Sequence, residues 1–361
     1  MKEKAKRSRQ STPVLSPRKA LWVAFLASWA IYYLTLVRPY PLFQYAPLSP
    51  ISLPEIARRH PGPAVAFLGA FLALFILYGW TCWICFRCPR AVSVPFLFLS
   101  SFAMALTLAF AHPGGAGDVV DYVTHGEELF YYWENPLVVP PGYLPNTAFA
   151  RYSAYRMALS NYGPLWTWIS ALVVGALGRR SLTVNLLGFK AVAIAAHQAQ
   201  ALLAFLILRR RHPERVPVGT AFLAWNPLAL YEFAVNGHND ATMMALALLG
   251  VYFWERRSLL AMTAALTLSF LVKIPTALLL PLFLLAFLRE EDRGSRSRRL
   301  IRGLSALALS GALVALAYLS LPRPLAALTN LATRSGLFTH SLPAVLYLAL
   351  QVGGLGPESA G

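Results

Sequence analysis

The chain has little charge for its length. Charged residues make up 13% of its 361 residues, whereas about a quarter is usual for a soluble domain. Hydrophobic residues make up 57% of the chain, and the mean hydropathy is +0.53. This composition argues against a soluble domain and indicates a membrane protein.

Cysteine is also scarce. The three cysteines, Cys82, Cys85 and Cys88, stand together at one end of an apolar run. A structural zinc site needs four ligands, and no second ligand pair follows. We interpret the three as helix-end residues or lipid attachment sites. No clean set of metal ligands stands elsewhere, so we predict no certain cofactor and leave a divalent cation open.

Acidic residues are the scarcer of the two charged classes. The 15 Asp and Glu residues against 32 Lys and Arg residues give a net charge of +17. In a soluble protein this excess would suggest a nucleic-acid partner. Here basic residues flank apolar runs, as they do on the cytoplasmic side of membrane proteins. We therefore predict no nucleic-acid partner. Residues 1–19 have no signal-peptide pattern, and we interpret them as a basic, disordered cytoplasmic tail.

Long apolar runs occur along the whole chain. A membrane-spanning helix needs roughly 20 apolar residues, and helices satisfy their own backbone hydrogen bonds in lipid. The runs that reach or approach this length are Leu21–Val37, Ala64–Phe86, Val92–Ala111, Val184–Leu208 and Leu304–Leu321. The sequence therefore predicts an all-α, polytopic transmembrane protein, with residues 20–361 forming one domain.

The distribution of basic residues sets the orientation of this domain. A cytoplasmic N-terminus places residues 112–162 outside the membrane. Residues 163–178 then form a partial or tilted helix, because a full crossing would place the following arginine cluster outside. The remaining helices are predicted at about 184–208, 216–233, 239–254, 259–272, 274–288, 301–320 and 337–353. This threading gives ten spanning helices and one partial helix in a multi-pass cell-membrane protein.

The external loop 112–162 holds a third of the acidic residues of the chain. They are Asp118, Asp121, Glu127, Glu128 and Glu134. The segment Val119–Trp133 has few helix breakers, so a surface helix is expected there. One interpretation is a solvated surface loop, whose acidic side chains keep it in contact with water. The other makes Asp118 a catalytic carboxylate, because it stands close to the membrane exit, where poor solvation raises the pKa of a carboxyl group.

A second polar segment, Glu232–Asp240, lies between two apolar helices on the same predicted face. It reads EFAVNGHND. Asn239 or Asp240 could act only as an N-cap for the following helix. The segment holds more polar side chains than a cap requires, however. With Asn239 as the cap, His238 and Asp240 are free to reach a substrate.

Two lysines interrupt apolar stretches. Lys273, in FLVKIPT, either extends its amine to the membrane surface or meets an anion. Lys190 and His197 lie seven residues apart on one helix and hence on one face. We predict that this second pair serves helix packing through polar contacts.

Four stretches, in this order, carry a resemblance to a known family. They are GDVVDY with a following Gly and Asn-Pro, then NYGPLW, then NGHNDATM, then LVKIP ahead of an apolar helix, and together they span roughly residues 112–290. The sequence resembles the GT-C class of membrane glycosyltransferases. Within that class it is most similar to the polyprenol-phosphate-mannose-dependent mannosyltransferases of bacterial cell envelopes.

The resemblance implies an extracytoplasmic active site with Asp118 as the catalytic base. It implies a polyprenyl-phosphate sugar donor lying along the helices among membrane lipids, and a glycan, lipid or protein acceptor. Base-assisted attack opposite the phosphate would invert the anomeric configuration, and Lys273, Arg151 and Arg156 are the candidate cations for the phosphate. The expected substrate-binding residues are Asp121, Tyr122, Arg151, Arg156, Tyr162, Asn236, His238, Asn239, Asp240 and Lys273.

Two other classes of protein compete with this interpretation. A transporter or flippase for lipid-linked sugars would spread ionisable residues over several helices at mid-depth. A non-catalytic envelope scaffold would leave the polar motifs on separate surfaces. The sequence favours the enzyme, because its acids gather in one loop.

Overall fold

The computed structural model describes residues 15–46, 61–115, 117–291 and 296–327. In these ranges the regular structure is helical, with one isolated β-bridge between Pro41 and Ala111. The α-helices are α1 (Pro17–Tyr32), α2 (Leu42–Tyr45), α3 (Pro61–Arg87), α4 (Val94–Leu108), α5 (Asp118–Tyr132), α6 (Pro164–Leu177), α7 (Leu182–Arg211), α8 (Val216–Ala224), α9 (Pro227–Leu230), α10 (Asp240–Glu255), α11 (Leu259–Val272), α12 (Leu279–Glu291) and α13 (Arg296–Leu319).

The prediction of an all-α polytopic fold is confirmed. By length and composition, 4 helices could cross a membrane: Pro17–Val37, Ala64–Arg87, Leu182–Arg211 and Ser297–Leu319. The shorter apolar helices include α4, α6 and α11. Ten crossings remain a prediction, and the helix predicted at 337–353 lies outside the described residues. The first helix begins at Pro17, inside the predicted tail 1–19. Residues 1–14 of that tail lie outside the described residues.

One predicted helix, 216–233, is broken in the structure. Helix α8 ends at Ala224, and Asn226 starts α9 by accepting hydrogen bonds from the backbone N–H groups of Leu228 (3.0 Å) and Ala229 (3.2 Å). Pro227 has no N–H to donate into the preceding turn, so the Asn-Pro pair ends one helix and begins the next. A π-helical turn, Tyr231–Val235, then leads into the second polar segment.

Helix α5 is the main correction to the predicted fold. It forms where a surface helix was expected, but every residue from 119 to 129 is buried. It packs against α6 and α7, and a Cβ on Gly126 would lie 2.3 Å from the Ser170 carbonyl oxygen of α6. This close approach requires glycine. The alternative of a solvated loop is therefore wrong.

The predicted partial helix at 163–178 is present as α6, which ends before Gly178 at a φ of 76°. It packs against α5, α7 and α11. The predicted helix 274–288 begins one turn late as an α-helix, since a 3₁₀ turn, Ile274–Leu278, precedes α12. The position of α6 relative to a bilayer remains a prediction.

Helix α7 lies at the centre and contacts α5, α6, α8 and α10. The Lys190 amine on α7 donates hydrogen bonds to the carbonyl oxygens of Ala109, at 3.0 Å, and Ala111, just beyond α4. A ring nitrogen of His197 lies 3.2 Å from the Ala224 carbonyl oxygen of α8. Both side chains are buried, and the predicted packing role of this pair is confirmed.

The two ends of the helices differ in charge. Helix α10 begins at Asp240 and α11 returns to Lys273, so both helices meet the polar motifs at one end. At the other end Arg211 forms an ion pair with Glu255 (2.6 Å), and Arg18 donates to the Ala91 carbonyl oxygen (3.4 Å). The carboxylate-rich motifs therefore lie at the end of α10 and α11 opposite to this arginine-rich end.

Candidate active site

Helix α5 presents its acidic first turn to the site. Asp118 is its first residue, and Asp121 and Tyr122 follow one turn later on the same face. Carboxylates in the first turn are stabilised by the positive end of the helix dipole. Asp118 is only half-buried, whereas Asp121 and Tyr122 are buried. Asp118 is therefore the member of this turn that a substrate can reach.

Asp121 holds the following loop against α5. The Ser153 hydroxyl donates a hydrogen bond to its carboxylate, and Ser153 accepts one from the Tyr155 backbone N–H (3.0 Å). Burial raises the pKa of Asp121 to about 7, with the Asp118 charge acting in the same direction and the Ser153 hydrogen bond opposing it. The carboxylate is engaged within the protein, which makes Asp121 a positioning residue in this structure.

Two tyrosines form an aromatic wall beside Asp118. The rings of Tyr122 and Tyr162 are 4.8 Å apart, and Trp166 packs on Tyr122 at 5.0 Å. Burial raises the pKa of Tyr162, and the nearby Asp118 charge acts in the same direction, so the phenol stays neutral. The Tyr122 hydroxyl accepts a hydrogen bond from the Asn239 backbone N–H at 3.3 Å. This bond joins α5 to the second polar segment.

The Asn236 side chain connects the second polar segment to the residues that precede α5. Its side-chain oxygen accepts from the Gly115 N–H (3.2 Å), and its amide nitrogen donates to Glu232 (2.9 Å). Gly237 has a φ of 70°, and a Cβ there would lie 3.1 Å from Val119. A side chain at this position would therefore separate the two motifs.

His238 lies among three carboxylates. Its Nδ1 is 3.0 Å from Glu232 Oε2. Burial lowers the pKa of His238, but the hydrogen bond and charge of Glu232, with smaller contributions from Asp118 and Asp240, raise it overall. The buried Nε2 has no hydrogen-bond partner among the described residues. The imidazole is thus held at one nitrogen and presents the other to the site.

Lys273 forms an ion pair with Asp240. Its Nζ lies 2.8 and 3.1 Å from the two carboxylate oxygens. About a third of each side chain is exposed, at 30% for Lys273 and 32% for Asp240. Asp240 compensates the lysine charge and fixes its position, so the extended, snorkelling conformation is not the one observed.

Asn239 does not act as the predicted cap. It stands at the N-cap position of α10, but its side chain makes no capping hydrogen bond. The amide is fully buried, and neither of its polar atoms has a partner in the described part of the chain. A buried amide of this kind has capacity for a ligand that can both donate and accept.

The second and fourth motifs meet through their backbones. The Gly163 N–H donates to the Val272 carbonyl oxygen at 2.9 Å, and a Cβ on Gly163 would lie 2.0 Å from the Leu271 oxygen. This contact places Lys273 beside the tyrosine wall. All four motifs are thereby brought to one end of the helices.

Two predicted cations are not part of this cluster. Arg151 and Arg156 are both exposed. Arg151 stacks over Tyr152 with its guanidinium 4.8 Å from the ring centroid, and it donates to the Tyr152 hydroxyl. No hydrogen bond or ion pair joins either arginine to the carboxylates of the cluster within the described ranges. Sequence order placed both in the loop, but Arg151 lies in the turn Ala150–Tyr152 and stacks on its neighbour, and Arg156 is exposed.

Sequence reasoning missed Ser153 and the position of Lys190 beside the second polar segment. Ser153 gives no signal, because a serine in a loop is common. Lys190 was assigned only to packing, yet its Cγ lies 3.4 Å from the Cβ position of Gly237, directly beneath the polar segment. No group of three or more His, Cys, Asp or Glu side chains among the described residues is arranged to hold a metal ion.

Acidic, imidazole and lysine side chains at one end of an apolar helical body define a membrane protein with a preformed polar site. The family described as "Alpha-(1->6)-mannopyranosyltransferase, N-terminal domain" matches residues 22–289, a range that contains all four motifs. The match covers well over half of the chain, and the chain belongs to this family. It is a mannosyltransferase of the GT-C type, as the resemblance predicted. No curated protein and no solved structure gives a significant match.

Proposed function

We propose that this mannosyltransferase takes mannose from a polyprenyl-phosphate donor and transfers it to an envelope glycan, lipid or protein on the extracytoplasmic side, with inversion. The proposal is supported mainly by one observation, the gathering of Asp118, Tyr162, His238 and the Lys273–Asp240 pair at one end of the helices. A scaffold would have no need for these four motifs to meet.

Asp118 is the proposed general base. The acceptor hydroxyl oxygen attacks the anomeric carbon of mannose, the bond from that carbon to the phosphate oxygen breaks, and Asp118 takes the hydroxyl proton. The neutral Tyr162 hydroxyl near this carboxylate would orient it toward the acceptor. Polyprenyl phosphate leaves as an anion and needs no general acid.

His238 and Lys273 are the proposed donors to the departing phosphate. Glu232 holds Nδ1 of His238 at 3.0 Å and favours the imidazolium, whose Nε2–H then points to the substrate. Lys273 adds an ammonium whose position Asp240 fixes. Preorganised donors of this kind stabilise charge that develops in the transition state. Asn239 and Asp240 would bind sugar hydroxyls alongside them.

Asp118→Asn tests the proposal. Since general-base catalysis contributes about 10²- to 10⁴-fold, we expect a loss of at least about 100-fold in transfer from radiolabelled polyprenyl-phosphate mannose by the purified protein. Glu134→Gln is the matched control, because Glu134 ends the same acidic stretch and pairs with Arg323 instead. Near-normal transfer by the Asp118 variant would remove it from the base role. No transfer by wild type from this donor, with transfer from another mannose donor, would refute the donor class.

A further inference from the structure

A cavity with two arginines in its lining lies at the arginine-rich end of the helices. It has a volume of about 390 Å³ and opens between the start of α11, helix α12 and the first turns of α13. Arg257 and Arg302 line it together with Ser258, Leu260 and Phe287. Helix α11 runs from this cavity to Lys273, and its 14 residues span roughly 20 Å at 1.5 Å per residue. The cavity is therefore separate from the mannosyltransferase site.

Two guanidinium groups reach the cavity from different elements. Arg257 follows α10 and Arg302 lies in the second turn of α13, and both are exposed. A guanidinium has five N–H donors in a planar fork, so it can bind a phosphate while keeping other contacts. Two such groups on one cavity favour an anionic ligand with several acceptor oxygens.

The backbone of Arg257 has an unusual conformation beside the cavity. Its φ is 57°, in the left-handed region that usually belongs to glycine at a helix C-terminus. The Arg257 N–H donates to the Trp254 oxygen and the Ser258 N–H to the Phe253 oxygen, both at 3.0 Å. This turn closes α10 and directs the chain into α11, whose first residues, Leu259 and Leu260, line the same cavity. Arginine stands where glycine would fit the backbone better.

Apolar surface borders the charged groups. Leu260 on α11 is 52% exposed, and Ile301 and Leu304, which flank Arg302 on α13, are 63% and 56% exposed. Phe287 is fully buried and forms the floor. A soluble phosphate would use the arginines but leave these side chains in water. A phospholipid would cover both, with its phosphate on the arginines and its acyl chains along the leucines.

We propose that this cavity binds the phosphate headgroup of an anionic phospholipid, in the leaflet opposite to the mannosyltransferase site. Charge complementarity supports this occupant, because the surrounding end also carries Arg18, Arg87, Arg90 and the Arg209–Arg211 run. The bound lipid fixes the junction of α11, α12 and α13. It is a structural ligand, distinct from the sugar donor.

Native mass spectrometry of the purified full chain tests the proposal with two probes, phosphatidylglycerol and phosphatidylcholine. We expect wild type to retain phosphatidylglycerol at least tenfold more tightly than phosphatidylcholine. Arg257→Gly removes one guanidinium, and glycine suits the φ of 57°, so this variant is expected to fold normally and to bind phosphatidylglycerol at least tenfold more weakly. Arg257→Gly with Arg302→Gln should abolish the preference between the two lipids.

Arg87→Gln with Arg210→Gln is the charge-matched control, because both arginines are exposed at the same end but outside the cavity lining. We expect less than a threefold change in phosphatidylglycerol binding. Equal losses in the control and cavity variants would reduce the effect to general charge and overturn the site. Displacement of the lipid by millimolar glycerol phosphate would show a site for soluble phosphate and overturn the lipid assignment. If either cavity variant fails to fold, the proposal is tested on the Tm of the wild-type protein. Phosphatidylglycerol should raise this Tm and phosphatidylcholine should not; an equal effect of the two lipids would overturn the proposal.

Discussion

The buried carboxylates of α5 have different roles although they stand close together in sequence. Asp121 is bonded to Ser153. Glu127 accepts two backbone N–H groups and pairs with Arg179 at 2.7 Å. Glu128 is fully buried, and neither oxygen has a hydrogen-bond partner among the described residues. The sequence shows an acidic segment, but it cannot separate these roles, because each depends on residues distant in the chain.

Glu128 should make stability depend on pH. Burial raises its pKa to about 9, with the Arg323 charge opposing this shift, while a glutamate in the unfolded chain has a pKa of about 4.3. The folded state therefore holds a proton that the unfolded state releases between these values. The stabilising contribution of the neutral carboxyl is complete below the unfolded pKa and is lost as the pH rises through about 9. We expect Tm to fall over this range.

Glu128→Gln removes this titration while keeping the shape of the side chain. We expect its Tm to exceed that of wild type by several degrees at pH 8, on the order of 5 °C, and to match it near pH 4. Thermal unfolding in detergent at several pH values gives the comparison. Glu214→Gln is the control, since that side chain is 61% exposed. If the Tm of wild type and of Glu128→Gln changed with pH in the same way, Glu128 would be ionised in the folded protein.

At the scale of elements, run length and turn residues predicted most of the helices. The run Val184–Leu208 became α7, and the prediction of a helix at 259–272 agrees with the bounds of α11. The break at Asn226-Pro227 was missed because apolar residues continue on both sides of it. The burial of α5 was missed because composition alone does not show what covers a helix.

The contact between Gly163 and α11 is also invisible in sequence, since it joins backbones more than a hundred residues apart. Gly163→Ala would place a methyl group 2.0 Å from the Leu271 oxygen, where neither backbone can move freely. The hydrogen bond from Gly163 to Val272 would be lost and Lys273 displaced from the site. We expect the KM for the polyprenyl-phosphate donor to rise at least about tenfold, an effect of roughly 1.4 kcal/mol or more.

Gly79→Ala is the matched control for this substitution. Gly79 lies inside α3, and a Cβ there meets nothing within 4 Å. Alanine favours helix over glycine by about 1 kcal/mol, so this variant should keep its donor KM and be at least as stable. A Gly163→Ala protein with normal donor KM and normal Tm would mean that the contact does not position Lys273.

At the scale of the whole molecule, the threading predicted that the loop of Asp118, the polar segment and Lys273 share one face, and the structure brings them together. The same reasoning failed for Arg151 and Arg156, since membership of a loop does not fix side-chain direction. The positive-inside rule predicts that the arginine-rich end lies in the cytoplasm. With that orientation, the proposed position of the mannosyltransferase site is on the opposite, extracytoplasmic side.

Labelling of single cysteines tests this orientation. In a background with Cys82, Cys85 and Cys88 replaced by serine, Tyr155→Cys marks the loop near the site and Arg210→Cys marks the arginine-rich end. Tyr155 is 61% exposed and Arg210 is also exposed, so a thiol at either position can react. We expect a membrane-impermeant maleimide to label intact cells only at position 155 and to reach position 210 after permeabilisation. The reverse pattern would place the Asp118 site in the cytoplasm. In that case the positive-inside assignment fails for this chain, and an extracytoplasmic acceptor is refuted with it.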